Sequence, residues 1–282
     1  MPRLPAHAVQ GDLSPLANVR NIVAVGSGKG GVGKSTTTVN LGVALAAEGL
    51  RVGVLDADVY GPSIPLMLGL SGRPDSPDGK RILPMQAHGL QAMSIGLMVE
   101  ADTPMIWRGP MATSALTQLL GDTAWDELDL LLVDLPPGTG DIQLTLAQKI
   151  PVAGAVVVTT PQDVATLDAR KALRMFEKVA IPVLGLVENM AVHACSACGH
   201  VEHLFGQGGA ARMSAQYGVP VLGSLPLEVG IREQGDAGAP VVAARPDSAA
   251  ADAYRSTAQA LLAALAQRPK VRSGILANLL GT

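Results

Sequence analysis

Apolar residues in this chain cluster into short, nearly continuous runs: Ile22 to Val25, Val52 to Leu55, Leu90 to Ile95, Leu128 to Val133, Ala155 to Thr159, Val183 to Val187 and Val219 to Gly223. Each has the length of a strand, and most lack polar alternation, as burial on both faces requires. Between them apolar positions recur with helical spacing. Val39, Leu41, Val43, Ala44 and Ala47 mark a helix from Thr36 to Ala47 that Gly49 ends. Further helices are predicted at Met111 to Leu120, Gln162 to Val179, Gly209 to Tyr217 and Ser248 to Ala266. Strands alternating with helices predict an α/β fold in a single domain: a mostly parallel sheet with helices on both faces and right-handed crossovers. Residues 69 to 81, rich in Gly, Ser, Pro and Asp, predict a surface loop. Residues 1 to 20 show no periodicity and read as a short leader, residues 21 to 266 as the domain, and 267 to 282 as a tail.

The first junction carries the strongest chemical signal. Gly28-Lys29-Gly30-Gly31-Val32-Gly33-Lys34-Ser35 follows the first apolar run and opens the first helix, in the order strand, glycine-rich loop, helix. Such a backbone turns successive N–H groups inward on a phosphate chain, from Gly28 through Thr36, and the helix N-terminus adds its own unpaired N–H groups. Lys34 supplies a point charge for the β- and γ-phosphates, and Ser35 a hydroxyl for Mg²⁺. The domain is therefore predicted to be a P-loop NTPase. A second lysine, Lys29, is not needed for the phosphates of its own nucleotide.

Acidic residues close two other runs. Asp56-Ala57-Asp58 follows Val52 to Leu55, at the carboxyl edge of a parallel sheet where ligands bind, so Asp58 is expected to face the phosphates. Asp134 caps Leu128 to Val133 and is expected to hold the Mg²⁺ water shell opposite Ser35.

Composition narrows the class. The 282 residues are 48% hydrophobic but only 2% aromatic, which predicts an aliphatic core. A formal net charge of −3 offers no electrostatic reason to expect nucleic acid. No apolar run approaches the ~18 residues of a membrane span, and the N-terminus lacks a secretory core. The chain reads as cytoplasmic.

Cys195 and Cys198 lie in His193-Ala194-Cys195-Ser196-Ala197-Cys198-Gly199-His200-Val201-Glu202-His203, read as an insertion near residues 191 to 203. In a reducing compartment a C-x-x-C pair points to ligands or redox groups rather than a structural disulfide. Two thiolates cannot complete a four-thiolate site, which leaves three readings. One is a [4Fe-4S] cluster shared by two subunits; the second is zinc within one chain, using two of His193, His200 and His203; the third is a thiol pair without metal. Spacing alone favours zinc.

The string K-G-G-V-G-K-S resembles the deviant Walker A families: partitioning and division-site ATPases, the nitrogenase iron protein, and the Mrp/ApbC iron-sulfur carriers. Together with D-A-D-V-Y-G-P-S-I-P, W-R-G-P-M, V-D-L-P-P-G-T-G-D, V-E-N-M followed by C-x-x-C-G, and G-x-L-P-L-E with I-R-E-Q-G-D, the chain is similar to the Mrp/ApbC/Nbp iron-sulfur cluster carriers over roughly residues 20 to 265. The resemblance implies an ATP-hydrolysing homodimer in which Lys29 acts across the twofold axis and Asp58 orients the attacking water. Asp56 would support its loop, Asn189 would meet the adenine, and Cys195 and Cys198 would bind a [4Fe-4S] cluster bridged between protomers. Its partners would be a cluster donor and apo iron-sulfur proteins. A positioning switch that acts on membrane or DNA is the rival, and it has no need of C-x-x-C-G. A zinc-stabilised NTPase is the third reading. Val271, Ile275, Leu276, Leu279 and Leu280 would share one side of a tail helix, but it is short and weakly charged, so no stable membrane association is expected.

Overall fold

The computed structural model describes residues 3–11, 13–98, 109–195 and 197–271, and in it the apolar runs lie side by side in one sheet. The strands are β1 (Ile22–Ser27), β2 (Val52–Asp56), β3 (Met85–Ala87), β4 (Leu90–Ser94), β5 (Leu130–Asp134), β6 (Gly154–Thr159), β7 (Val183–Ala194), β8 (Val201–Glu202) and β9 (Val221–Pro226). Their order is β3-β4-β2-β5-β1-β6-β7, with β9 on the far side of β7. These pairings are all parallel except β3 with β4, and β8 pairs antiparallel with the end of β7. The helices are α1 (Lys34–Ala47), α2 (Ile64–Met67), α3 (Gly109–Asp122), α4 (Asp141–Lys149), α5 (Asp163–Lys178), α6 (Gly209–Tyr217), α7 (Val229–Asp236), α8 (Val241–Ala244) and α9 (Ala249–Ala266).

β1, β2, β5 and β6 are buried at every residue, as their unbroken apolar sequences require. Successive residues still point to opposite faces. Ile22 and Ala24 join a core with Leu116, Leu146 and Phe176, while Val23 and Val25 join another with Leu41, Leu45 and Leu261. Helices therefore cover both faces. Phe176 and Tyr254 are the largest fully buried side chains, and with the buried Trp125 they interrupt a mostly aliphatic interior.

Segments around the domain are tied to its amino edge. Asn21 Oδ1 accepts the His7 backbone N–H at 3.0 Å and its Nδ1–H at 2.8 Å, and the Gln10 amide donates to the carbonyls of Ala147 and Ile150. His7 also forms an antiparallel bridge with Lys270. His88 is exposed and donates to the Gly238 carbonyl at 2.8 Å.

Most predicted elements stand within a few residues of their sequence bounds. The exception is the run at Val183, which continues through Ala194 instead of closing on Glu188-Asn189-Met190. A register shift between Glu188 and Val192, with Met190 at φ 56°, makes those residues a bulge inside a longer strand. α4 and α7 were not evident in the sequence. Trp107 and Arg108, and the tail helix beyond Val271, lie outside the described residues.

Candidate functional site

The loop after β1 is braced from two sides. A Cβ on Gly28 would lie 2.0 Å from the backbone carbonyl carbon of Asp168, so only glycine lets the loop rest on α5. Gly33 has φ 78°, and a Cβ there would meet Asn189 Nδ2 at 2.1 Å. That same Nδ2 donates to the Val32 carbonyl at 2.9 Å, and Ser27 Oγ–H donates to the Lys29 carbonyl at 2.9 Å. The loop curves around a pocket of about 300 Å³ lined by Lys29 to Thr36, with Asp58, Ser63 and Pro137 opposite.

Asp134, fully buried at the end of β5, collects the donors at the base of this pocket. Its Oδ2 accepts from Lys34 Nζ and from Ser35 Oγ, each at 2.6 Å, and its Oδ1 from Thr38 Oγ1 at 2.6 Å. Lys34 is itself only 5% exposed. A buried carboxylate is stable there because a cation and two hydroxyls replace its water.

Asp56 stands beside Asp134 in the β2–β5 register. Its Oδ1 accepts the Asp58 N–H at 3.1 Å; its Oδ2 accepts the Ile64 N–H at 3.2 Å and the Ser94 hydroxyl at 3.1 Å. One carboxyl thus grips both ends of the loop that carries Asp58. Burial, and then the neighbouring Asp134 carboxylate, push its pKa up to about 7. Asp58 Oδ1 accepts the N–H groups of Tyr60 and Gly61 at 3.2 and 3.3 Å, fixing a turn at the rim of the phosphate pocket.

A second cleft of about 330 Å³ shares Gly33, Thr36 and Met67 with the first and continues over Asn189, Met190, Pro226, Leu227, Glu228, Ile231, Arg232 and Tyr254. The bulge in β7 aims Asn189 at it. The part built by Pro226 to Arg232 had no assigned role in the sequence. Its position beyond the carboxyl end of β9, a parallel strand, was the available signal.

Cys195 and Cys198 occupy the turn between β7 and β8, an antiparallel pair with His193 opposite Glu202. The Cys195 N–H donates to the His200 carbonyl at 2.9 Å, and Gly199 N–H to the Cys195 carbonyl at 2.8 Å. Both thiols are free; Cys195 is half-buried and Cys198 exposed. Backbone N–H groups of Ala197 and Cys198, then the Cys198 side chain, hold the Cys195 thiol below its ordinary range. Of the histidines of the zinc reading, His193 Nδ1–H donates to the Leu227 carbonyl and His203 Nδ1–H to that of Ala191, each at 2.9 Å, while His200 Nε2 lies 3.6 Å from Glu202 Oε1. Among the described residues no three His, Cys, Asp or Glu side chains converge as metal ligands. Nor is any described helix long and apolar enough to cross a membrane.

The sheet order and the braced loop define a P-loop NTPase. Comparison with known proteins narrows the class further. The family model described as the NUBPL iron-transfer P-loop NTPase, within ParA, matches residues 18–262, and the chain belongs to that family. It is 60% identical over 254 residues to the iron-sulfur cluster carrier protein of Pseudomonas fragi, covering 89% of this chain and 88% of the relative. Against the protein of the same name from Escherichia coli K12 it is 58% identical over 257 residues, 91% of this chain and 70% of the relative. Among solved structures, a nucleotide-binding protein from Archaeoglobus fulgidus in complex with ADP superposes with a TM-score of 0.70 at 39% identity, over 78% of this chain and 87% of that one. The division ATPase MinD of Pyrococcus furiosus, at TM-score 0.65 and 24% identity over 86% of this chain and 98% of its own, shares the fold.

Proposed function

We propose that this protein is an ATP-hydrolysing carrier of iron-sulfur clusters that works as a homodimer. One observation carries the reading: Asn189, against the phosphate-binding loop, and Cys195, in the thiol turn, belong to or directly follow the same strand, β7. Leu227 reinforces the link, since it lines the second cleft, donates its N–H to the Val192 carbonyl and accepts from His193. The residue assigned to the nucleotide and the cysteine turn thus share one strand.

In this reading the N–H groups from Gly28 to Thr36 and the Lys34 ammonium bind the phosphates, and Asn189 and the apolar second cleft hold the adenine. The Ser35 hydroxyl and Asp134 carboxylate are hard oxygen donors of the kind Mg²⁺ takes; they would hold it, directly or through its water shell, and it would supply positive charge to the phosphates. Asp58 orients the attacking water. Lys29, half-buried on the pocket wall, acts on the partner's nucleotide. Two thiols per chain fit a cargo that needs four, so Cys195 and Cys198 of two protomers hold one [4Fe-4S] cluster across the twofold axis for delivery to apoproteins, after loading from a donor. Anaerobic purification followed by iron, sulfide and zinc analysis per dimer, with Mg-ATP binding measured on the same sample, tests it.

A further inference from the structure

The strand that carries the cysteines leaves the main sheet partway along. β6 accompanies β7 only to Glu188, and after the bulge β7 resumes against the end of β9, where Val192 pairs with Pro226. Leu227 is gripped there at both backbone groups: its N–H donates to the Val192 carbonyl at 2.8 Å, and its carbonyl accepts from His193 Nδ1 at 2.9 Å. A carbonyl only accepts, so the half-buried His193 ring carries a proton on Nδ1. Along β7 His193 leads through Ala194 into Cys195, and across the hairpin it pairs with Glu202. Leu227 in turn lines the second cleft with Pro226 and Glu228. One side chain therefore holds the wall of that cleft and stands at the base of the thiol turn. His203 differs, because its Nδ1–H goes to Ala191 on β7 and closes the hairpin on itself.

Such a contact has consequences when the cleft changes occupancy. A ligand that fills the cleft orders its wall, and the ordering extends to what the wall holds. Cys195 is half-buried, so its thiol meets a reagent through local opening of the turn, and a turn held more firmly opens less often. We propose that His193 is a positioning residue that ties the thiol turn to the nucleotide cleft through Leu227, so that a nucleoside bound in the cleft steadies Cys195. This regulation rests on the nucleotide-binding reading given above.

Alkylation of Cys195 by iodoacetamide reads the effect in the reduced full-length protein before any cluster is loaded, with peptide mass spectrometry resolving Cys195 from Cys198. Saturating Mg-ADP, which fills the cleft without a γ-phosphate, should slow the wild-type reaction about fivefold, the lower end of ordinary coupling between sites. His193→Phe keeps a ring but has no donor, and its rate should not respond to Mg-ADP. His193→Asn, whose amide nitrogen replaces Nδ1, should recover the response, and His203→Ala, which loosens the hairpin alone, should retain it. A wild-type protein that binds Mg-ADP without slowing would overturn the proposal whether or not the phenylalanine variant folds. So would a full response in His193→Phe, no response in His193→Asn, or a loss in His203→Ala equal to that in His193→Phe. Failure of the folded wild-type protein to bind either Mg-ADP or Mg-ATP would instead remove the nucleotide reading itself.

Discussion

Lys34 Nζ lies 2.6 Å from Asp134 Oδ2, an ion pair with both side chains withdrawn from solvent. The lysine that serves the phosphates is therefore also the counter-ion of a fully buried carboxylate at the end of the central strand. Lys34→Ala should lose tight Mg-ATP binding and should also destabilise the fold by roughly 3 kcal/mol, since the remaining hydroxyls of Ser35 and Thr38 only partly compensate an unpaired buried charge. Adding Asp134→Asn should recover much of that stability without recovering nucleotide. Denaturant unfolding beside titration calorimetry separates the two effects, and unchanged Mg-ATP affinity in Lys34→Ala would remove the loop assignment.

Lys29 should behave differently. It lines the phosphate pocket without being buried beneath it, so Lys29→Ala should keep its stability and bind nucleotide while losing turnover. Mixed with hydrolysis-dead Asp58→Asn chains, it should regain part of the activity in heterodimers, because each chain supplies what the other lacks. ATPase rates that merely add the two parental values would count against action across the dimer.

Asp56 sets a pH dependence. Its folded pKa of about 7 lies above the ordinary 3.8, so between these values the folded protein binds more protons than the unfolded one, and stability falls as pH rises. The loss from this group should be complete a little above pH 7 and absent below pH 4. Asp56→Asn should flatten that slope in urea unfolding run from pH 5 to 8. A wild-type protein whose Asp56 contribution grows with pH over that window would contradict the assignment.

Much of this site was legible in the sequence because its parts have rigid local signatures. A glycine string between an apolar run and a helix, and acidic residues at the ends of buried strands, place Lys34, Ser35, Asp58 and Asp134 at one sheet edge. The bulge at Asn189 and Met190 was not legible. A polar interruption after Val187 reads as a strand end, and the pairings of Val192 with Pro226 and of His193 with Glu202 show that the strand resumes. α4 was hidden by its polar sequence, of which Gln143, Leu146 and Ala147 are the buried residues. Tyr254 is one apolar position among many on α9 until the cleft above it is seen. Cys195 and Cys198 share one turn, as their spacing requires, but the Ala191 and Leu227 carbonyls that engage His203 and His193 are not indicated by that spacing.

The cysteine turn gives a sharp distinction between variants. Cys195→Ser or Cys198→Ser should abolish cluster binding and weaken dimerisation while leaving Mg-ATP binding intact, because the phosphate loop follows a different strand. Joint replacement of His200 and His203 should leave the cluster in place.

The most direct measurement is iron, sulfide and zinc content against oligomeric state for the anaerobically purified protein and these variants. A dimer holding about four irons and four sulfides, emptied by either cysteine change and unaffected by the histidine pair, is the predicted result. A monomer holding one zinc and no sulfide, emptied when His200 and His203 are replaced, would contradict the carrier account.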